Sequence, residues 1–199
     1  MSKNLKLSSE LREIIVGKLL GDGHLETQNN GKTWKLKIEH NVKQKEYFVH
    51  QYHLFSKWVR FYPQVIKKNN SNNYSFKTIS TGKLRFYGQQ FYKNGKKVVP
   101  KLIEKLITSR SLAYWYRDSL TRDCQSKMIV FSTHFFSLLE VKFLIGVLKR
   151  KFILDCWPRK KQEGWQIHVS RKSCSWLREL IYPFLISKVF YRISSEPKI

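Results

Sequence analysis

The stretch Ile15-Val-Gly-Lys-Leu-Leu-Gly-Asp-Gly23 (IVGKLLGDG) decides how the rest of the chain is read. It closes a longer run, Leu11–Leu20, whose apolar residues at 11, 14, 15, 19 and 20 keep helical periodicity. Ser8 or Ser9 caps the start, Glu10 sits near the positive end, and Gly21 and Gly23 end the helix. Gly17 and Gly21 lie one turn apart, which permits another helix to approach closely. Asp22 follows the helix C-terminus, where partial negative charge disfavours a carboxylate unless a cation binds. Two readings stay open from these residues alone. Either Asp22 and nearby backbone carbonyls form a hard oxygen site suited to Mg²⁺, or Asp22 is a solvated residue of a Gly-Asp-Gly turn.

Working outward, the chain repeats itself. After the first helix come an alternating strand at Lys35–Glu39, an amphipathic helix at Lys45–Val59, strands at Gln64–Lys68 and Tyr74–Ile79, and a helix near Leu84–Tyr92. The second half offers a helix from Ser111 to Tyr116, a β-rich run at Met128–Thr133, a helix at Leu138–Phe152, a strand at Trp165–Ser170 and a helix at Cys174–Leu185. The boundary falls near Pro100–Arg110, giving halves 1–100 and 101–199. The expected fold class is α+β, with pseudo-twofold symmetry and two sheets. Along the strands Lys35, Lys37 and Glu39 share a face, as do Tyr74, Phe76 and Thr78, and Gln166, His168 and Ser170. One sheet face then packs on helices while the other presents polar groups.

Charge narrows the function classes. Against 38 Lys and Arg stand 14 Asp and Glu, a formal net charge of +24, while 42% of the 199 residues are hydrophobic. The chain therefore buries a core and still calls for a polyanionic partner. The basic residues run from Lys3 to Lys198 instead of gathering on one amphipathic helix, which favours nucleic acid over a membrane surface. Cys124, Cys156 and Cys174 are odd in number and widely spaced, so neither a disulfide framework nor a structural zinc site is expected. With no apolar leader or membrane-crossing run, the expected setting is intracellular: an organelle interior or a bacterial cytoplasm.

The residues 15–23 resemble the first motif of the LAGLIDADG homing endonucleases, single-chain two-motif type. Residues 88–100 (GQQFYKNGKKVVP), Ile107–Asp118 and 184–193 (FLISKVFYRI) also look familial, so the resemblance covers nearly the whole chain. It implies two αββαββα halves forming a saddle of two antiparallel sheets, with the motif helices packed at the centre. It implies Mg²⁺-dependent cleavage of a long double-stranded DNA target, with Asp22 as the first metal-binding acid. Lys97, with Lys96 as a close alternative, matches the basic residue of one active site. Arg192 stands where the family usually has Lys in its C-terminal Tyr-Lys element.

The second motif departs from the pattern. It aligns as Leu112-Ala-Tyr-Trp-Tyr-Arg-Asp-Ser-Leu120, where the family resembles Leu-Ala-Tyr-Trp-Tyr-Met-Asp-Asp-Gly. Ser119 falls at the metal-binding position, a poorer Mg²⁺ ligand than a carboxylate. Asp118, the expected second metal-binding and catalytic residue, stands one position early, about 100° around the helix, and substitutes only if the helix end unwinds. Asp123 is a further candidate. Four outcomes stay open: a double-strand cutter, a nickase using Asp22 alone, a non-catalytic intron maturase that binds its own intron RNA, and an inactive copy of a mobile element. Candidate groove residues are Gln28, Asn30, Lys35, Lys37, Lys77, Arg159, Lys161, Gln166 and His168, any of which is otherwise a solvated surface residue. Two halves in one chain make a monomer sufficient.

Overall fold

The computed structural model describes residues 5–68, 71–119 and 129–185. The first helix, α1 (Ser9–Leu20), starts where the Ser8 side chain accepts the Leu11 amide, with Glu10 in its first turn. Leu11, Ile14, Ile15, Val16, Leu19 and Leu20 are all buried, so α1 is covered nearly all round and must lie inside the molecule.

Strands β1 (His24–Glu26), β2 (Lys35–Asn41), β3 (Gln64–Lys68) and β4 (Ser71–Lys77) form an antiparallel sheet in the order β1-β2-β4-β3. Leu36, Ile38 and His40 alternate inward. Lys35, Lys37 and Glu39 take the opposite face, as their spacing predicts. Helix α2 (Lys45–Leu54) packs on the inner face, where Phe48 stacks on Tyr74 and meets Phe76 edge-on. It is shorter than its periodicity predicts: the chain leaves it at Phe55 and turns through a 3-10 segment, Ser56–Trp58. Helix α3 (Arg85–Phe91) follows, then a hairpin of β5 (Tyr92–Lys93) and β6 (Lys96–Lys97). Asn94 and Gly95 both have positive φ, the requirement of its two-residue turn. The short helix α4 (Ile103–Leu106) leads to α5 (Ser109–Ser119).

Beyond α5 come β7 (Val130–Ser132), α6 (Leu138–Phe152), β8 (Cys156–Lys161), β9 (Gly164–Val169) and α7 (Arg171–Ile181), with the sheet ordered β7-β9-β8. The order matches the first half: β7 answers to β2, β9 to β4 and β8 to β3. The fold is α+β with two main antiparallel sheets, as the repeat predicts. Helix α6 has the predicted bounds because Ser137 and Glu140 form a capping box. Helix α7 starts earlier than its apolar periodicity predicts, since Ser170 caps it; the α-helix ends at Ile181 and a 3-10 turn, Tyr182–Phe184, carries Pro183.

The helices α1 and α5 form the central seam. A Cβ on Gly17 would stand 2.4 Å from the Ser111 carbonyl oxygen, and one on Gly21 would stand 2.7 Å from Asp118 Oδ2. Both positions therefore require glycine for close approach, and Gly21, at φ −93°, owes nothing to a left-handed turn. Ser111 Oγ donates to the Glu13 carbonyl, and Arg110 pairs with Glu13, fixing the register of the two helices.

Candidate active site

At the C-terminal end of the seam the two helices bring charged groups together. Asp22 follows α1 and is exposed. The protein mass around it and the nearby Asp118 charge raise its pKa to about 6, with Lys18 and Lys97 pulling the other way. Lys97, at the end of β6, reaches in beside it and donates from Nζ to the carbonyls of Gly21 (2.7 Å) and Gly23 (2.9 Å). Burial lowers the Lys97 pKa to about 8, against the attraction of Asp22 and Asp118. The ammonium also lies 5.1 Å from the Phe135 ring centroid. Of the two lysines proposed for this role, Lys97 faces the site and Lys96 points to solvent.

These contacts bear on the oxygen site expected at Asp22. The Gly21 and Gly23 carbonyls each accept one hydrogen bond from the Lys97 ammonium, which leaves each oxygen a second lone pair. A metal at Asp22 would take water and phosphate as further ligands, which is the habit of Mg²⁺. Asp22 and its surroundings fit such an ion. Among the described residues no group of three or more His, Cys, Asp and Glu side chains gathers as a protein-only metal cage.

Asp118 is within reach of this centre but is heavily engaged. Its side chain has 0% exposure. Oδ1 accepts from Lys18 Nζ (2.7 Å) and the Tyr47 hydroxyl (3.1 Å), and Oδ2 accepts from the Asp22 amide (3.2 Å). Lys18 is itself 1% exposed. Its ammonium lies 3.2 Å from His40 Nε2 and 5.5 Å from the Tyr47 ring centroid. Burial, aided by the Lys18 charge, lowers the His40 pKa to about 4, so the imidazole is neutral near pH 7. Tyr47, buried and facing Asp118, has its pKa raised well above the ordinary phenol value.

Ser119 turns away from the seam. Its hydroxyl donates to the Trp115 carbonyl (2.8 Å) and accepts the Ser132 amide (2.9 Å), tying α5 to β7. Ser132 Oγ in turn lies 2.9 Å from His134 Nδ1. Ser119 is therefore a strut between helix and sheet. Asp123 and Arg192 lie outside the described residues.

The expected groove residues fall on the outer sheet faces and the loop beside them. Lys37 is the β4-facing neighbour of Lys77, and Lys35 pairs in register with Glu26. Two of these lysines have acidic neighbours: Lys37 with Glu39 (3.1 Å) and Lys77 with Glu26 (2.8 Å). Gln28 and Asn30 are exposed in the β1–β2 loop. In the smaller sheet Arg159 pairs with Gln166, and His168 stands opposite Trp157 and Val130. Arg159 and Lys161 are exposed, whereas His168 is only 5% exposed and both ring nitrogens lack a hydrogen-bond partner among the described residues.

Sequence reasoning missed Lys18, Tyr47 and Tyr92. Tyr92 accepts the Leu25 amide and lies 3.0 Å from His24 Nδ1, bracing the turn that carries Asp22. The available signal for Lys18 was a lone lysine inside an apolar helical run. Nothing in the local sequence points to Tyr47.

A model of the LAGLIDADG DNA endonuclease family matches residues 12–177. The chain is 29% identical over 201 residues to the "Probable intron-encoded endonuclease 1" of Wickerhamomyces canadensis, across 94% of this chain and 85% of that protein. It is 25% identical over 202 residues to the cytochrome b mRNA maturase bI2 of Debaryomyces hansenii, across 96% of this chain and 76% of the maturase. Among solved structures, the homing endonuclease I-WcaI bound to its DNA recognition sequence matches with a TM-score of 0.86 and 26% identity, covering 96% of this chain and 88% of that one.

Proposed function

Because this chain belongs to the LAGLIDADG DNA endonuclease family, we propose that it is a site-specific endonuclease of the intron-homing type that hydrolyses phosphodiester bonds in a long DNA duplex. The observation that carries this reading is the exposed Asp22 at the end of a glycine-packed helix seam, with Lys97 anchored beside it. Asp22 would hold Mg²⁺, which when bound supplies a polarised water and charge stabilisation at the scissile phosphate. Lys97 places a positive charge at the same place, and its two carbonyl bonds hold the Gly21–Gly23 turn so that the Asp22 carboxylate faces outward. The basic outer faces of the two sheets supply phosphate contacts, with base-edge contacts from their polar side chains.

Chemistry is centred on one half, because the residue matching Asp22 is Ser119 and its hydroxyl is spent on backbone groups. The preferred product is therefore a nick. Supercoiled plasmid carrying the cognate site and incubated with Mg²⁺ should give open circles. Linear product would refute the single-strand restriction. Asp22→Asn should lower the rate by roughly a thousandfold or more, the scale of losing a metal's contribution. Continued cutting by that variant would sink the assignment.

The similarity to a maturase supports a second reading. Here the basic surface binds the chain's own intron RNA and promotes splicing without DNA cleavage. Unchanged plasmid together with salt-sensitive binding of that RNA would favour it.

A further inference from the structure

The second half of the seam contains a carboxylate that the proposed chemistry leaves unused. Asp118 has about four lone-pair positions on its two oxygens. Three are taken by protein donors: the Lys18 ammonium, the Tyr47 hydroxyl and the Asp22 amide. The Lys18–Asp118 pair is closed off from water, at 1% and 0% side-chain exposure. Lys18 is also the odd residue of its helix. In the motif alignment its counterpart is Trp115, which packs on Phe131 inside the second half. A buried lysine costs several kcal/mol unless paired, so an apolar residue would serve packing better at position 18. The pair offers an electrostatic gain instead: it cancels a carboxylate that touches the backbone of Asp22.

We infer that Lys18 is an internal counter-ion that withdraws Asp118 from cation binding, leaving Asp22 as the seam carboxylate that takes a divalent metal. Lys18 and Asp118 are then positioning residues: together they are neutral, and Asp118 accepts the Asp22 amide. This rests on the assignment of Asp22 as the metal holder, and the two ideas fail separately in the following test.

The measurement is Mn²⁺ binding to the full chain, with the metal alone at low salt, followed by titration calorimetry or by the electron paramagnetic resonance of free Mn²⁺. Lys18→Met removes a positive charge next to Asp22 and unmasks Asp118, so affinity should rise roughly tenfold. Asp118→Asn leaves an uncompensated ammonium, so affinity should fall by a similar factor. The double variant Lys18→Met/Asp118→Leu removes both charges and should return to within about twofold of the original. A purely structural pair would weaken binding in both single variants. A ligating Asp118 would leave the double variant as weak as Asp118→Asn. Either pattern overturns the inference.

Each single variant leaves a buried charge, so circular dichroism and thermal melts accompany the titrations. Should the singles fail to fold, the neutral double variant decides alone: retained Mn²⁺ affinity supports the counter-ion role and lost affinity refutes it. Asp22→Asn that still binds Mn²⁺ normally breaks the metal assignment, while the opposite shifts of the Lys18 and Asp118 variants still report their pairing. A chain that binds no Mn²⁺ up to millimolar concentration, in the original and in Lys18→Met, overturns both.

Discussion

The two motif helices occupy equivalent places yet end in different chemistry. In α1 the last residues place a buried lysine at 18, a bare glycine at 21 and an exposed carboxylate at 22. In α5 the matching positions hold a core tryptophan at 115, a buried carboxylate at 118 and a buried hydroxyl at 119. The glycine of one helix is the floor on which the aspartate of the other rests. Packing at this seam is thus complementary where an ideal repeat would be symmetric. A serine at the position matching Asp22 leaves no hole: Ser119 ties helix to sheet, and Asp118 is the partner of Lys18.

Placing an acid at position 119 is the harshest way to probe that difference. Ser119→Asp would place a charge in a site sized for a hydroxyl and lose the donor to the Trp115 carbonyl. It should cost about 3 kcal/mol of stability, visible as a lowered denaturation midpoint, and yield no second-strand cleavage. If the variant is as stable as its parent and linearises plasmid, the two halves are more alike than their side-chain contacts imply.

A gentler probe is pH. Asp22 must shed its proton to hold a metal, which happens as pH rises through about 6. Lys97 must keep its own, which it does until pH exceeds about 8. Cleavage should therefore peak between these values. On the acid side the rate should fall tenfold per pH unit, the slope of one proton. A slope of two would mean that a carboxylate from each half takes part.

The smallest expected effect concerns the second helix of each half. Helix α2 leaves through Phe55 at φ −97°, an ordinary conformation, whereas α6 leaves through Ile153 at φ 56°. A β-branched residue in the left-handed region is strained, and Ile153 is 76% exposed, so it gains little from burial. Ile153→Gly should stabilise the chain by about 1 kcal/mol in chemical denaturation. Glycine at Phe55, which is buried, should instead destabilise it.

Much of this fold was legible because its signals are local. Gly17 and Gly21 announced the close seam, and Ser137 with Glu140 fixed the start of α6. Strand β8 was missed because Cys-Trp-Pro-Arg-Lys-Lys has a proline and mostly exposed residues, which an edge strand tolerates but alternation does not reveal. At the site, Asp22 and Lys97 were accessible through the motif resemblance. Lys18 was not: its partner lies 100 positions away, and hydropathy counts a lysine as outward-facing whatever it pairs with. Ser119 was read as a lost ligand, but its structural work depends on an amide of β7 that no helical pattern displays.

The length of chain between the two sides of that ion pair also bears on how the protein is made. During synthesis Lys18 leaves the ribosome about a hundred residues ahead of Asp118, and the glycine face of α1 precedes the helix that covers it by a similar interval. Loop closure over that distance must occur before the seam rewards it. The nascent first half therefore has neither the neighbour for its glycines nor the counter-charge for its lysine. Completion of α5 ends that exposure, so the seam and its charged end wait on the second half of the chain.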